Sequence, residues 1–145
     1  MPSFKVVDTD FESRIRASFD RQMVMQTIGA SLSHIQAGEV RIELPFRPAL
    51  TQQHGYLHAG IVGLIVDSAC GYAAYTLMPA DSEVLSVEYK INFLSPAQGQ
   101  TFLAVGRVVK PGRKLTVCAG DVWAHNAGEA KLVATMQSTM ICIPK

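Results

Sequence analysis

The stretch from His58 to Met78, HAGIVGLIVDSACGYAAYTLM, constrains this chain more than any other part of it. Ile61, Val62, Leu64, Ile65, Val66, Ala69, Tyr72, Ala73, Ala74 and Leu77 leave no polar face at helical spacing, and Pro79 stops the run. A helix that is apolar nearly all round is buried rather than laid on a surface. The same stretch is a poor membrane span, because Asp67, Ser68 and several glycines interrupt it. A buried helix needs a layer wrapped around it, and the remaining sequence supplies strands.

Two short strands are expected at about 30–37 and 39–44, joined at Gly38. Val40, Ile42 and Leu44 alternate with Arg41 and Glu43, the pattern of a strand with one buried face. Pro45 and Pro48 end the second strand. After the helix, four strands are expected at about 83–94, 101–110, 115–126 and 131–143, with turn signals at Ser95–Gly99, Pro111-Gly112 and Asn126-Ala127-Gly128. Long strands joined by tight turns read as an antiparallel meander. Before all of these, residues 10–25 read as a helix whose Phe11, Ile15, Phe19 and Met23 recur every four residues, with Ser18 and Gln22 beside them and Asp10 as N-cap. The economical architecture is α+β: a curved six-stranded antiparallel sheet wrapped around one long helix.

The length of 145 residues fits one domain, 1–145, with no repeat or linker. A net charge of +1 without a basic stripe gives no sign of a nucleic-acid partner. Cys70, Cys118 and Cys142 are odd in number and far apart, with neither zinc spacing nor a disulfide framework. Residues 1–10 carry Lys5, Asp8 and Asp10 and lack a signal-peptide pattern. The expectation is a cytoplasmic protein without a membrane partner. An apolar content of 48% against 17% charged residues suits either a generous core or a shared subunit interface.

Asp67 is the residue out of place. Aspartate is a poor helix-interior residue, and burying its charge unpaired costs several kcal/mol. Two readings fit: a structural aspartate bonded to nearby backbone or hydroxyl groups, or a general base or nucleophile whose basicity burial raises. The helix start near His58-Ala59-Gly60 adds to the second reading. Free N–H groups at a helix N-terminus suit an oxygen that becomes negative during attack, which makes the Ala59 N–H a candidate oxyanion donor. The preceding loop offers Gln52, Gln53, His54 and His58. His54 and His58 straddle Gly55 and have no acidic third ligand nearby, so no metal is expected.

Ala59 and Asp67 are eight residues apart, roughly 12 Å along a helix axis, too far for both to reach one carbonyl. If both serve one reaction, they come from different subunits, and two such helices antiparallel about a two-fold axis would bring them together twice.

These segments resemble the hotdog-fold acyl-CoA thioesterases of the phenylacetate-degradation (PaaI-like) type. The resemblance runs over about residues 25–143. It is carried by Gln52-Gln53-His54-Gly55-Tyr56-Leu57-His58-Ala59-Gly60, by the acid nine residues after the histidine in Asp67-Ser68-Ala69-Cys70-Gly71, by Ser86–Ala97, and by Lys110-Pro111-Gly112-Arg113-Lys114. It implies hydrolysis of acyl-CoA thioesters to free acid and coenzyme A, with coenzyme A as part of the substrate and no cofactor. It implies a homo-oligomer, commonly a dimer of dimers, with the site at the subunit interface. By position, Asp67 matches the catalytic carboxylate and Ala59 the donor to the thioester carbonyl. His58 matches the histidine that shapes the helix start, Gln52 and Ser86 the residues that hold water, and Gly55 and Gly60 the loop and helix-start glycines. Arg113 and Lys114 are candidates for the phosphates of coenzyme A. Two positions depart from the pattern: Ala59 replaces the first glycine of a pair, and Gln52 is longer than the asparagine of many members.

Other functions compete. A hotdog hydratase or dehydratase would need an imidazole–carboxylate pair, which His58 and Asp67 could supply across an interface. A non-catalytic acyl-CoA-binding module would bind without Asp67. Cys70 reads as packing because no base is placed for it, Ser68 as packing or a local backbone bond, and Tyr72, Tyr75 and Trp123 as core or interface. Arg107, Lys110, Arg113 and Lys114 cluster around one turn.

Overall fold

A computed structural model describes residues 2–145. Two helices, α1 (Phe11–Arg21) and α2 (Met23–Ile28), precede β1 (Ser31–Gln36) and β2 (Glu39–Pro45). The long helix α3 (Ala59–Tyr75) follows, then β3 (Ser82–Phe93), β4 (Thr101–Lys110), β5 (Leu115–Asn126) and β6 (Glu129–Pro144). The strands form one antiparallel sheet in the order β1-β2-β4-β5-β6-β3. The sheet is wrapped around α3, as the apolar character of that helix requires. No described helix is long and apolar enough to cross a membrane.

The strand alternation of β2 is realised in the structure: Val40, Ile42 and Leu44 are fully buried, while Glu43 is exposed. The helix lies closest to the sheet at its middle, over Gly106 and Gly120, which face each other across β4 and β5. A Cβ on Gly106 would run into the backbone of Ala69 and Cys70, and one on Gly120 into the Val66 and Cys70 side chains. This close seat presses one side of α3 into the sheet and leaves Leu64, Asp67, Ser68 and Gly71 half-buried on the other.

The meander expectation needs correction. β4, β5 and β6 form one, but β3 pairs with β6 at the far edge, not with β4. The segment 94–100 is a crossover rather than a hairpin turn. It covers three strand spacings, about 14 Å, which seven extended residues span with ease. On the way it passes the start of α3, where the Leu57 N–H donates to Ala97 O at 2.9 Å. The alternation of Val87, Tyr89, Ile91 and Phe93 does mark a strand, but in this chain it buries little, because β3 has a neighbour on one side only. Val87, Tyr89 and Phe93 are 53%, 48% and 51% exposed.

The N-terminal helix is also broken where a single one was expected. Gln22 leaves helical geometry (φ −81°, ψ 91°), and a second short helix begins at Met23. The break rotates the apolar stripe. Ile15 and Phe19 are buried as expected, but Met23 is 70% exposed, and Met25 and Ile28 take over the buried face. Asp10 sits at the N-cap position without capping; its own N–H donates to Asp8 Oδ1 at 3.0 Å. Arg14 ties this region to α3. Its guanidinium pairs with Asp8 at 3.0 Å, donates to the Tyr75 and Met78 carbonyls at 3.2 and 3.0 Å, and stacks 4.2 Å from the Tyr75 ring centre. Cations at a helix C-terminus complement its dipole, so Arg14 anchors α1 against the last turn of α3.

Candidate active site

Asp67 lies on the half-buried side of α3, in a cleft of about 380 Å³ between α1, α3 and the start of β3. Burial raises its pKa above the ordinary aspartate value. One hydrogen bond opposes that shift: Ser86 Oγ donates to Asp67 Oδ1 at 2.8 Å. The register of β3 against β6 slips immediately after Ser86, leaving Val87 as an extra residue. Such bulges bend a strand and re-aim its side chains. Asp67 Oδ2 has no partner among the described residues.

The start of α3 is built from the loop before it. Thr51 bridges Leu57, and Gly55 takes the left-handed conformation (φ 82°) that closes the turn between them. The Gln52 side-chain oxygen accepts from the His54 and Tyr56 N–H groups at 2.5 and 3.2 Å, so this side chain pins the loop and only its amide N–H groups are left to face a ligand. His58 is the N-cap of α3, and its Nδ1 accepts from the Gly60 N–H at 2.8 Å, which places the ring proton of the neutral form on Nε2. Gly60 lies tight under this ring, where an added Cβ would come within 3.0 Å of Nδ1. The Ala59 N–H, the first of the helix, has no acceptor among the described residues. Ala59 and Gln52 line a second cleft of about 200 Å³ with Tyr56, Phe93 and the crossover residues Ser95–Ala97.

The structure therefore brings Asp67 and Ser86 together at one cleft, and Gln52 and Ala59 at another, with His58 and Gly60 beside the second. It does not join the two groups within one chain. Arg113 and Lys114 sit on the exposed turn after β4 and line neither cleft. Arg107, expected to cluster with them, instead pairs with Asp121 at 2.8 Å on the outer face of the sheet. Cys70 is fully buried, and burial pushes its thiol up to about 12, which fits a packing residue rather than a thiolate nucleophile.

Four residues of the Asp67 cleft carry polar chemistry that the sequence alone did not assign to it. Gln22 Nε2 donates to Tyr72 OH at 3.0 Å, Ser18 Oγ lies 3.2 Å from the same hydroxyl, and Ser68 Oγ donates to Gln22 Oε1 at 3.2 Å. Ser68 thus bonds a side chain of the N-terminal helices, not local backbone. The signal was Ser18 and Gln22 themselves, two polar residues four apart beside the apolar stripe of a covering helix.

The thioesterase superfamily model matches residues 54–131, which include His58, Ala59, Gly60, Asp67 and Ser86 but not Gln52 or the N-terminal helices. A solved thioesterase family protein from Silicibacter pomeroyi is 47% identical, with a TM-score of 0.92, over 93% of this chain and 99% of that one. A Saccharolobus solfataricus protein that carries the name "putative esterase" is 31% identical over 129 residues, 89% of this chain and 83% of that one. A 1,4-dihydroxy-2-naphthoyl-CoA hydrolase of Listeria monocytogenes is 23% identical over 94 residues, 65% of this chain and 76% of that one.

Proposed function

The chain belongs to the thioesterase superfamily, and on that premise we propose that it hydrolyses acyl-CoA thioesters to the free acid and coenzyme A, as a homo-oligomer whose site is shared between two subunits. The observation that carries this reading is Asp67: a carboxylate with burial-raised basicity, fixed through one oxygen by Ser86 and open through the other, at a cleft large enough for an acyl group. The name of the Listeria monocytogenes relative, a hydrolase of an acyl-CoA, supports the substrate class.

The chemistry follows from where charge develops. The thioester carbonyl docks on the Ala59 N–H, at the positive end of α3. A water oriented by the Ser86 hydroxyl and the Gln52 amide gives its proton to Asp67 Oδ2 as its oxygen attacks the carbonyl carbon. The negative oxygen of the tetrahedral intermediate stays on the Ala59 N–H. Collapse breaks the carbon–sulfur bond, and Asp67 returns the proton to the thiolate of coenzyme A. Water has then been added across that bond, and the carboxylate is regenerated. His58 and Gly60 set the direction of the Ala59 N–H, and Gly55 shapes the loop that carries Gln52. Arg113 and Lys114 are the exposed cations that would meet phosphates of coenzyme A.

Two features support a shared site. Ala59 and Asp67 line separate clefts of one chain, and one α3 cannot present both to one carbon. Also, β3 is a long edge strand with Leu85, Val87, Tyr89 and Phe93 about half exposed, a surface that soluble proteins normally cover. Antiparallel pairing of two β3 edges would join the sheets and set the two α3 helices side by side in opposite directions. The residue midway between Ala59 and Asp67 is Gly63, where an added Cβ would lie 3.7 Å from the Tyr89 hydroxyl. A two-fold axis near Gly63 and Tyr89 delivers Ala59 of each subunit to Asp67 of the other.

The test is thiol release from a panel of acyl-CoAs by the wild type and by Asp67→Asn. Turnover of at least one member, lost by about a hundredfold or more in the variant, is expected. No release from any acyl-CoA contradicts the reading.

A further inference from the structure

The polar group at the far end of the Asp67 cleft has no part in the hydrolysis described above. Ser18, Gln22, Ser68 and Tyr72 all line the cleft. The broken helix puts them there: the departure from helical geometry at Gln22 fixes that residue between α1 and α2, its N–H held by Phe19 O at 2.9 Å and its carbonyl accepting from the Met25 N–H at 3.0 Å. The Phe19 and Tyr72 rings pack beside the network with centres 6.1 Å apart, and Arg14 holds α1 in place.

This wall retains hydrogen-bonding capacity. Gln22 Nε2 uses one N–H on Tyr72, and its oxygen accepts one bond from Ser68. A second amide N–H and a second lone pair are left, and the Ser18 and Ser68 hydroxyls keep accepting lone pairs. An unsubstituted alkyl chain pushed against these groups would strip their remaining water and return no partner.

We infer that Gln22, with Tyr72 and Ser18, is a specificity determinant that selects acyl groups bearing a hydroxyl or similar hydrogen-bonding group near the far end of the cleft. Tyr72 lies five residues beyond Asp67 on α3, an axial rise of about 7.5 Å, so the group it reads is distal to the thioester rather than adjacent to it. The inference rests on the thioesterase reading and narrows its substrate class.

The experiment compares kcat/KM for hexanoyl-CoA and 6-hydroxyhexanoyl-CoA, two substrates that differ only in the distal hydroxyl. The assay uses the wild-type protein, Tyr72→Phe and Gln22→Met. The wild type should favour the hydroxylated substrate by about tenfold, the size of one or two neutral hydrogen bonds. Both variants should bring that ratio close to one. A wild-type ratio of one, with hexanoyl-CoA readily hydrolysed, overturns this inference alone and leaves the network as a brace between the helices. A preference that survives both substitutions overturns it equally, since the group would then be read elsewhere. Absence of thiol release from both substrates overturns this inference, while the wider acyl-CoA panel decides the thioesterase reading separately. If one variant fails to fold, the wild-type ratio and the other variant together decide the matter.

Discussion

Ser86 Oγ donates to Asp67 Oδ1 at 2.8 Å, and this bond ties the edge strand β3 to the only acidic side chain of α3. It is also the one interaction that lowers the pKa of a carboxyl otherwise raised by burial. Ser86→Ala should therefore shift the acid limb of the kcat/KM profile to higher pH and lower the plateau by about tenfold. A pH profile across the carboxylate range checks it. An unmoved limb would mean that Asp67 is not the titrating base.

Asp67 should be kept for activity at the expense of stability. Its folded-state pKa is raised, so its contribution to stability is fully present below the unfolded aspartate value and is lost as pH rises through the folded value. At neutral pH the native protein carries a partly buried charge that the unfolded chain would solvate. Asp67→Asn keeps an oxygen acceptor for Ser86 and removes that charge. Its Tm at neutral pH should equal or exceed the wild type, with the difference vanishing below the carboxylate range. Thermal unfolding at two pH values decides it, and a variant markedly less stable at neutral pH would favour a structural role for Asp67.

Ala59→Pro isolates a single N–H. Proline is well accepted at the first position of a helix, and His58 already has the extended geometry (φ −60°, ψ 137°) that a following proline demands. The helix should form with its cap intact while the oxyanion donor is gone, lowering kcat by about 10²–10³. Ala59→Gly retains the N–H and should keep most activity. Equal activity of the proline and glycine variants would remove Ala59 from the mechanism.

The β3 edge should be the assembly surface. Tyr89→Lys leaves an exposed position of the single chain exposed, yet a two-fold axis would bring the two new charges together. Sedimentation should show dissociation to monomers that retain secondary structure, with activity falling in step. An unchanged oligomer with full activity would place the interface elsewhere.

The sequence revealed the architecture where one feature had one physical solution. The helix 59–75 was readable because its residues leave no face for water, and β2 because Val40, Ile42 and Leu44 can share only one face. Strand order was not readable. Nothing in Ser95–Gly99 separates a hairpin from a crossover, and β3 joins β6 through contacts some fifty residues apart. Of the candidate site, Asp67 and the helix start stood out because a mid-helix acid and a run of N–H groups need explanation under any fold. Gln22 did not, since its side chain reaches the cleft only through a backbone break that the apolar spacing of Phe11, Ile15 and Phe19 conceals.

The central claim is that Asp67 and Ala59 act on one thioester from two subunits, and mixed oligomers test it most directly. Asp67→Asn and Ala59→Pro are each first shown to assemble as the wild type does, and are then co-expressed or refolded together. A dimer with one chain of each kind would hold one site carrying both lesions and one site carrying neither. Random mixing should restore roughly a quarter of the wild-type sites, although each variant alone is inactive. Recovery near that level is the predicted result. Mixed oligomers as inactive as their parents would contradict the account and confine the reaction to a single chain.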